Sequence, residues 1–383
     1  MEVTDEVRHV LACAFAESAP RPATPGTDLA RTVGLAKQLG LAARIGARLR
    51  HEPADPRLEA LIGASRGAAA AAMRARAAAE AVAEVASERG ISCCFLKGVA
   101  LEALGVTAPG ARSMCDVDVL VGPADLEAIS ESLCRGGFAV SGEEYPHQLA
   151  ALVHPELGAV EIHRHLPGVR VGASHRFAQL DDLERHQLTV PWADLPGRAS
   201  LPDRAALAAH LIAHGLAQHG FRPGSYPPLR LLGDLLDLGI AGAEGSAALL
   251  DRALPLLATS VPEREARAAA ALCAALAASD FTFLDDASDA GSLLRHFLAG
   301  ALEPRYRAAL TLQDLRHPLG ERGRVGNALS AAGTALALSR GQIDAVYGRP
   351  RSRWGYAARR VMRPFDLIWR AGRALLSHVR ERA

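Results

Sequence analysis

The stretch Asp116-Val117-Asp118-Val119-Leu120-Val121 alternates acidic and apolar side chains and then becomes apolar throughout. This alternation is typical of a β-strand, in which successive side chains point to opposite faces. Asp116 and Asp118 are therefore expected on one face, and the valines between and after them on the other, towards a core. Two neighbouring carboxylates repel each other unless a cation lies between them. Because oxygen ligands suit Mg²⁺ or Mn²⁺, the stretch predicts a metal-binding strand, with a turn-capping role for the acids as the alternative.

A second polar strand is predicted at Val160-Glu161-Ile162-His163-Arg164-His165-Leu166, where Glu161, His163 and His165 share one face. A third carboxylate on a neighbouring strand would complete a site for two metal ions. Such a site can hold a triphosphate and stabilise a leaving pyrophosphate. The alternative is a solvated strand face. Each histidine is a candidate ligand, phosphate contact or structural hydrogen-bonding residue.

A third stretch, Phe95-Leu96-Lys97-Gly98-Val99-Ala100, predicts a strand that leads into a helix. A glycine at this position lets backbone N–H groups approach a phosphate. The lysine beside it adds a positive charge, and Lys97 and Lys37 are the only lysines of the chain.

Taken together, these stretches resemble the uncharacterised bacterial nucleotidyltransferases of the DNA polymerase β-like superfamily. The resemblance rests on Leu96-Lys97-Gly98, on Arg112 shortly before the Asp-Val-Asp triplet, and on Glu161-Ile162-His163. It implies that Gly98 takes the phosphate-binding turn, although the serine that commonly follows this glycine is replaced by Val99. It also implies that catalysis and metal binding fall to Asp116, Asp118 and Glu161. The residues expected to contact the nucleotide are Lys97, Gly98, Arg112, Ser113 and His163.

The function implied by the resemblance is metal-dependent transfer of a nucleotidyl group from a nucleoside triphosphate to an acceptor, with Mg²⁺ or Mn²⁺. The acceptor stays open between a small molecule, a peptide and a protein. Two alternatives remain: a non-catalytic nucleotide- or partner-binding module with the same fold, and a protein that acts on RNA.

The composition predicts a mostly helical protein with one smaller sheet. Hydrophobic residues make up 49% and aromatic residues 4% of the 383 residues, so that alanine, leucine and valine must fill the core, and alanine favours helix. The expected fold is α+β, a polymerase β-like core with a small mixed sheet flanked by helical regions. The expected segments are a helical region at 1–90, the core at 91–200, a second helical region at 201–348 and a basic amphipathic tail at 349–383.

The periodicity places further elements along the chain. A long helix is expected from Pro56 to Arg89, with Gly90 as its C-cap. A hairpin is expected from Gln148–Val153 and Ala159–Leu166, and a strand from His186 to Val190. The remaining helices are expected at Asp28–Gln38, Leu41–Arg50, Val99–Leu104, Ala124–Arg135, Ala205–His219, Leu229–Leu238, Ala247–Ala258, Glu263–Ala278 and Leu293–Leu302.

Two pairs of residues in the second helical region lie four positions apart, on one helix face. His210 and His214 are expected to be packing residues, because no nearby cysteine or acid completes a zinc site. Arg230 and Asp234 are expected to form an ion pair.

The tail is rich in arginine, and its only acids are Asp366 and Glu381. Its apolar residues from Phe365 to Val379 fall roughly on one helix face, which suits contact with a membrane surface, RNA or a protein surface. The formal net charge of +1 does not indicate a general nucleic-acid binder. Six cysteines without CxxC spacing and an acidic start without an apolar signal core predict a cytoplasmic protein.

Overall fold

The computed structural model describes residues 3–18, 22, 28–49, 56–142, 144–145, 147–174, 176–218, 228–240, 246–258, 261, 263–284 and 288–302. Residues 1–302 belong to one compact unit. The predicted tail at 349–383 and the end of the second helical region lie outside the described residues. The division of the chain into four segments stays a prediction.

The N-terminal region is helical, as predicted. Its four helices are α1 (Asp5–Phe15), α2 (Leu29–Gln38), α3 (Ala42–Arg48) and α4 (Glu59–Glu88). The buried face of α4 carries mainly alanine, and small side chains let a neighbouring helix approach closely. Helix α3 packs closely against α4 at Gly46. A Cβ at Gly46 would lie 1.9 Å from the carbonyl oxygen of Leu61 in α4, so a larger residue does not fit there. The C-cap of α4 is Arg89 and not the predicted Gly90, which follows it with a φ of 65° and turns the chain out of the helix.

A mixed sheet follows, with seven strands among the described residues. The strands are β1 (Ser92–Phe95), β2 (Asp116–Val121), β3 (Ala139–Ser141), β4 (Ala151–His154), β5 (Gly158–His163), β6 (Thr189–Pro191) and β7 (Arg198–Pro202). Their order across the sheet is β3-β4-β5-β2-β1-β7-β6. The pairs β2/β5 and β1/β7 are parallel, and the other pairs are antiparallel.

The remaining helices pack around the sheet and continue beyond it. They are α5 (Lys97–Ala103), α6 (Leu126–Arg135), α7 (Leu180–Arg185), α8 (Arg204–Ile212), α9 (Pro228–Asp237), α10 (Ser246–Ala253), α11 (Glu263–Ala277) and α12 (Asp289–Leu302). After Ile212 the chain continues from α8 as a wider π-type turn, Ala213–Gln218. The α+β fold, with a mixed sheet flanked along the chain by N-terminal and C-terminal helical regions, is thus confirmed. Among the described residues, no helix is both long and apolar enough to cross a membrane.

One strand prediction needs correction, and two strands of the sheet were not predicted. The strand expected from His186 begins only at Thr189, because His186 and Gln187 form the turn after α7, with Gln187 at a φ of 56°. Strand β3 was not predicted, since its three residues are all exposed and carry no apolar alternation. Strand β7 was not predicted either, because Ala199 and Leu201 are its only apolar residues besides Pro202, too few to make the alternation distinctive.

Candidate active site

The carboxylates come together because two parallel strands lie side by side in register. Asp118 of β2 is paired with Glu161 of β5, and Leu120 is paired with His163. Paired residues of neighbouring strands point to the same face. On the opposite face, Val117, Val119 and Ile162 are fully buried and anchor both strands in the core. The alternation that predicted the site is therefore also what holds its backbone in place.

Asp118 is the centre of the cluster and is only 3% exposed. Its Oδ1 accepts a hydrogen bond of 2.6 Å from the Lys97 ammonium and lies 2.8 Å from Nε2 of His163. Glu161 Oε2 lies 4.0 Å from the same nitrogen. One ligand atom each from Asp118, Glu161 and His163 lies within 4.8 Å of the others. Within the described ranges, this is the one set of three or more such groups so closely spaced.

Asp116 begins β2, two residues before Asp118, and therefore points to the same face. It is half-buried and lies outside the closest set of ligand atoms, in which His163 is the third member. His163, predicted as a nucleotide contact, is thus the third member of this set, and Asp116, the first acid of the Asp-Val-Asp triplet, is not a member.

Lys97 reaches Asp118 through an unusual backbone conformation. The residue begins α5 with a φ of 50°, in the left-handed region that costs a non-glycine residue about 1 kcal/mol. Immediately before it, the Leu96 N–H donates to the carbonyl oxygen of Asp118 over 2.9 Å. The β1–α5 connection is therefore bound to β2 both by a backbone hydrogen bond and by a buried ion pair.

Gly98 lies in the predicted strand-to-helix turn, and its expected phosphate contact stays a prediction, although the positive φ of the turn falls on Lys97. Glycine is required here for space. A Cβ at Gly98 would lie 2.2 Å from Nη1 of Arg112 and 2.6 Å from the sulfur of Met114. Arg112 passes over this bare position, and its Nε donates to Asp234 Oδ1 of α9 over 2.9 Å. Gly98 thus allows a buried ion pair between the site loop and α9.

Burial and mutual repulsion set the protonation of the acids. Burial favours the neutral form of Asp118, but Lys97 and His163 outweigh it and hold the pKa of Asp118 below its ordinary range. Burial, followed by the charge of Asp118, raises the pKa of Glu161 to about 7. The same two causes raise the pKa of Asp116. Burial lowers the pKa of His163, so its ring is neutral at pH 7. The positive charge of Lys97 neutralises the negative charge of one carboxylate, so the negative charges of the other two carboxylates are poorly compensated.

Sequence reasoning missed several residues around the site. Asp234 was expected to pair with Arg230, and its contact with Arg112 spans 122 positions along the chain, which no local pattern reveals. His147 packs near His163, with ring centroids 5.8 Å apart, and lies outside the strand predicted from Gln148. Ser113 is exposed in the loop before β2.

His210 and His214 of the α8 region are buried, at 0% and 7% exposure. Their ring centroids are 6.0 Å apart. Neither belongs to the described set of closely spaced metal-ligand atoms. The geometry agrees with their interpretation as packing residues.

Comparison with known proteins gives one match. The model of a family described as uncharacterised nucleotidyltransferase matches residues 25–277. No match was found among curated proteins or among solved structures.

Proposed function

The chain belongs to the uncharacterised nucleotidyltransferase family, and we propose on that basis that it transfers a nucleotidyl group from a nucleoside triphosphate to an acceptor. The observation that carries the proposal is the in-register pairing of Asp118 with Glu161 on parallel strands. It supports a site in which Asp116, Asp118 and Glu161 act together on the reacting phosphate.

The donor set fits a divalent cation. Carboxylate oxygens are the ligands that Mg²⁺ and Mn²⁺ prefer in proteins. The pKa of Glu161, raised to about 7 by burial and by the charge of Asp118, indicates a cluster that would gain from added positive charge. We assign metal binding to Asp116, Asp118 and Glu161. A bound Mg²⁺ or Mn²⁺ would supply Lewis-acid stabilisation of the charge on the triphosphate.

Lys97 and Gly98 are assigned to the triphosphate. The Lys97 ammonium is buried beside Asp118, and a phosphate oxygen offers it an alternative partner of the same charge. Gly98 is assigned a contact through its backbone N–H, because Arg112 and Met114 fill the space above its Cα. Ser113, exposed in the adjoining loop, and His163 complete the proposed nucleotide contacts.

Arg112 is engaged with Asp234, so we assign it the role of a positioning residue for this loop.

The proposed reaction is an in-line displacement at the α-phosphorus. An oxygen of the acceptor forms a bond to the α-phosphorus, and the bond from this phosphorus to the bridging oxygen of the β-phosphate breaks. Pyrophosphate leaves with the electron pair of that bond. When the acceptor is a hydroxyl, its proton is released to solvent, because a bound cation would lower the pKa of that hydroxyl.

Calorimetric titration tests the proposal. ATP, GTP, CTP and UTP are titrated with Mg²⁺ or Mn²⁺ into the wild-type protein and into the double variant Asp116→Ala/Asp118→Ala. We expect metal-dependent binding of at least one triphosphate by the wild type and its loss in the double variant. Binding of no triphosphate by the folded wild type contradicts the proposal.

Turnover separates an enzyme from a binding module of the same fold. Incubation of the bound triphosphate, labelled in its α-phosphate, with candidate acceptors is expected to yield labelled product and pyrophosphate. If binding requires the acids but no acceptor is labelled, a non-catalytic nucleotide-binding module becomes the better description.

A further inference from the structure

An exposed aromatic side chain, that of Tyr145, is connected to His163 of the acidic cluster through the ring of His147. Tyr145 is 49% exposed, and it is the one aromatic residue among the exposed large hydrophobic side chains of the described chain. We use the name rim segment for residues 144–145 and 147–149, which contain Tyr145 and His147. Aromatic residues are only 4% of the sequence, so a solvent-exposed aromatic ring is unusual in this chain.

Backbone hydrogen bonds hold the rim segment against the end of β5. The Leu149 N–H donates to the carbonyl oxygen of Ile162 over 2.9 Å, and the Arg164 N–H donates to that of His147 over 2.8 Å. Gln148 forms an antiparallel bridge with His163, and the Tyr145 N–H donates to Gln148 over 3.0 Å. The rim segment is thus fixed on the side of β5 away from β2.

Ring contacts connect the exposed tyrosine to the acids. The rings of Tyr145 and His147 have centroids 6.0 Å apart with an interplanar angle of 30°. His147 in turn lies 5.8 Å from His163, which contacts Asp118. Burial lowers the pKa of His147 to about 3, so its ring is neutral at pH 7. The rings form an uncharged surface that runs from solvent to the carboxylates.

The strand order places the rim segment and Lys97 on opposite sides of the acids. Lys97 follows β1, the acids lie on β2 and β5, and the rim segment lies beyond β5. In-line displacement places the attacking and leaving oxygens on opposite sides of the α-phosphorus. If pyrophosphate leaves towards Lys97, the acceptor approaches from the rim segment.

We propose that Tyr145 and His147 form the acceptor subsite, and that the acceptor presents a hydroxyl-bearing ring whose flat face packs on Tyr145. This inference rests on the proposed function and narrows its acceptor. Stacking on an aromatic face is available to a sugar ring and to a phenol alike. It places the hydroxyl of such a ring on the β5 side of the site, where Glu161 lies.

Saturation-transfer NMR with two probes tests the subsite. Methyl β-glucopyranoside and N-acetyltyrosinamide represent the sugar and the phenol. Each is added to the full-length protein, with and without Mg²⁺ and the α,β-methylene analogue of the triphosphate that the titration selects. We expect transfer to the ring protons of one probe, reduced at least fivefold in Tyr145→Ala and retained in Tyr145→Phe. Met73→Ala, at a side chain that is 74% exposed on α4, is the control and is expected to match the wild type.

Nucleotide titration of the same variants decides what the ring contacts. We expect the affinity of Tyr145→Ala for the triphosphate to stay within twofold of the wild type. A large loss of triphosphate affinity that depends on the base would show that Tyr145 packs against the nucleobase, and this would overturn the acceptor subsite. Transfer to neither probe, or transfer that does not depend on Tyr145, would overturn it as well while triphosphate binding persists. Failure of the wild type to bind any triphosphate overturns the proposed function itself, and with it the assignment of the rim segment to an acceptor.

Discussion

At the scale of single residues, Lys97 and a divalent cation would use the same carboxylate. The Lys97 ammonium lies 2.6 Å from Asp118 Oδ1 and is buried, so this ion pair is shielded from solvent. Removal of one partner from a buried pair leaves the other charge uncompensated. Lys97 thus stabilises the metal-free protein, and a triphosphate would give it a second partner when a metal takes Asp118.

We therefore expect Lys97→Met to lower the free energy of unfolding by roughly 3 kcal/mol without metal. Mn²⁺ should restore more stability to this variant than to the wild type, because Mn²⁺ then no longer competes with the Lys97 ammonium for Asp118. Triphosphate affinity should fall at least tenfold. Thermal unfolding with and without Mn²⁺, and calorimetry with nucleotide, measure these effects.

The control is Lys37→Met, since Lys37 is the other lysine and is exposed on α2. It should leave stability, metal response and triphosphate affinity unchanged. If Mn²⁺ stabilises Lys97→Met no more than it stabilises the wild type, Lys97 and the metal do not compete.

The pKa of Glu161, raised to about 7 by burial and by Asp118, predicts that metal binding depends on pH. Below that pKa a cation must displace a proton, so Mn²⁺ affinity should fall about tenfold from pH 8 to pH 6. A raised pKa stabilises the fold below the ordinary pKa of a glutamate, and this contribution is lost as pH rises through about 7. The free energy of unfolding of the metal-free protein should thus fall as the pH rises from the ordinary pKa of a glutamate to about 7.

Calorimetry in buffers of different ionisation enthalpy measures the proton release directly. Glu161→Gln, which keeps the shape of the side chain, should abolish the release attributed to this group and lower the affinity. Equal Mn²⁺ affinity at pH 6 and pH 8 would contradict the assignment of Glu161 as a ligand.

At the scale of elements, the start of α5 depends on a glycine that provides space. A Cβ at Gly98 would lie 2.2 Å from Arg112 Nη1, and Arg112 is held in place by Asp234. We expect Gly98→Ala to lower the free energy of unfolding by about 1–3 kcal/mol through overpacking, as measured by urea denaturation. Triphosphate binding should weaken with it.

The matched control is Gly63→Ala in α4. A Cβ at Gly63 meets nothing within 4 Å, and alanine is favoured over glycine inside a helix by roughly 0.5–1 kcal/mol. This substitution should therefore stabilise the protein. A neutral or stabilising Gly98→Ala would show that Arg112 can move aside without cost.

At the scale of the whole molecule, two acids of α9 connect the N-terminal helices with the loops of the site. Asp237 accepts hydrogen bonds from Arg44 of α3, at 2.6 Å, and from Thr107, at 2.9 Å. Asp234 accepts one from Arg112. These contacts join segments far apart in the chain, so the geometry of the site depends on the packing of α9.

Asp234→Ala leaves the buried Arg112 guanidinium without this carboxylate, and we expect a loss of about 3 kcal/mol in stability. Asp251→Ala is the control, since Asp251 is 62% exposed in its ion pair on α10, where such pairs contribute little. Urea denaturation of both variants, with the double variant Arg112→Met/Asp234→Leu, separates the lost pair from lost packing. Equal stability of Asp234→Ala and Asp251→Ala would contradict the role of α9.

The sequence by itself determined the period of each major element and the residues that share a strand face. The alternation in residues 116–121 placed Asp116 and Asp118 together, and Gly90 marked the end of α4, because both features depend on neighbouring residues only. The resemblance to nucleotidyltransferases rested on the same local stretches and agrees with the family match.

Tertiary structure alone decided which residues surround Asp118 and how the site loop is held. The parallel pairing of β2 with β5 brings Glu161 and His163 to Asp118 across more than 40 positions, as the separation of 45 between Asp118 and His163 shows. The left-handed backbone at Lys97 and the Arg112–Asp234 ion pair likewise depend on segments that meet only after folding. The physical reason is that periodicity is a property of neighbouring residues, whereas strand order and buried ion pairs depend on how distant segments pack.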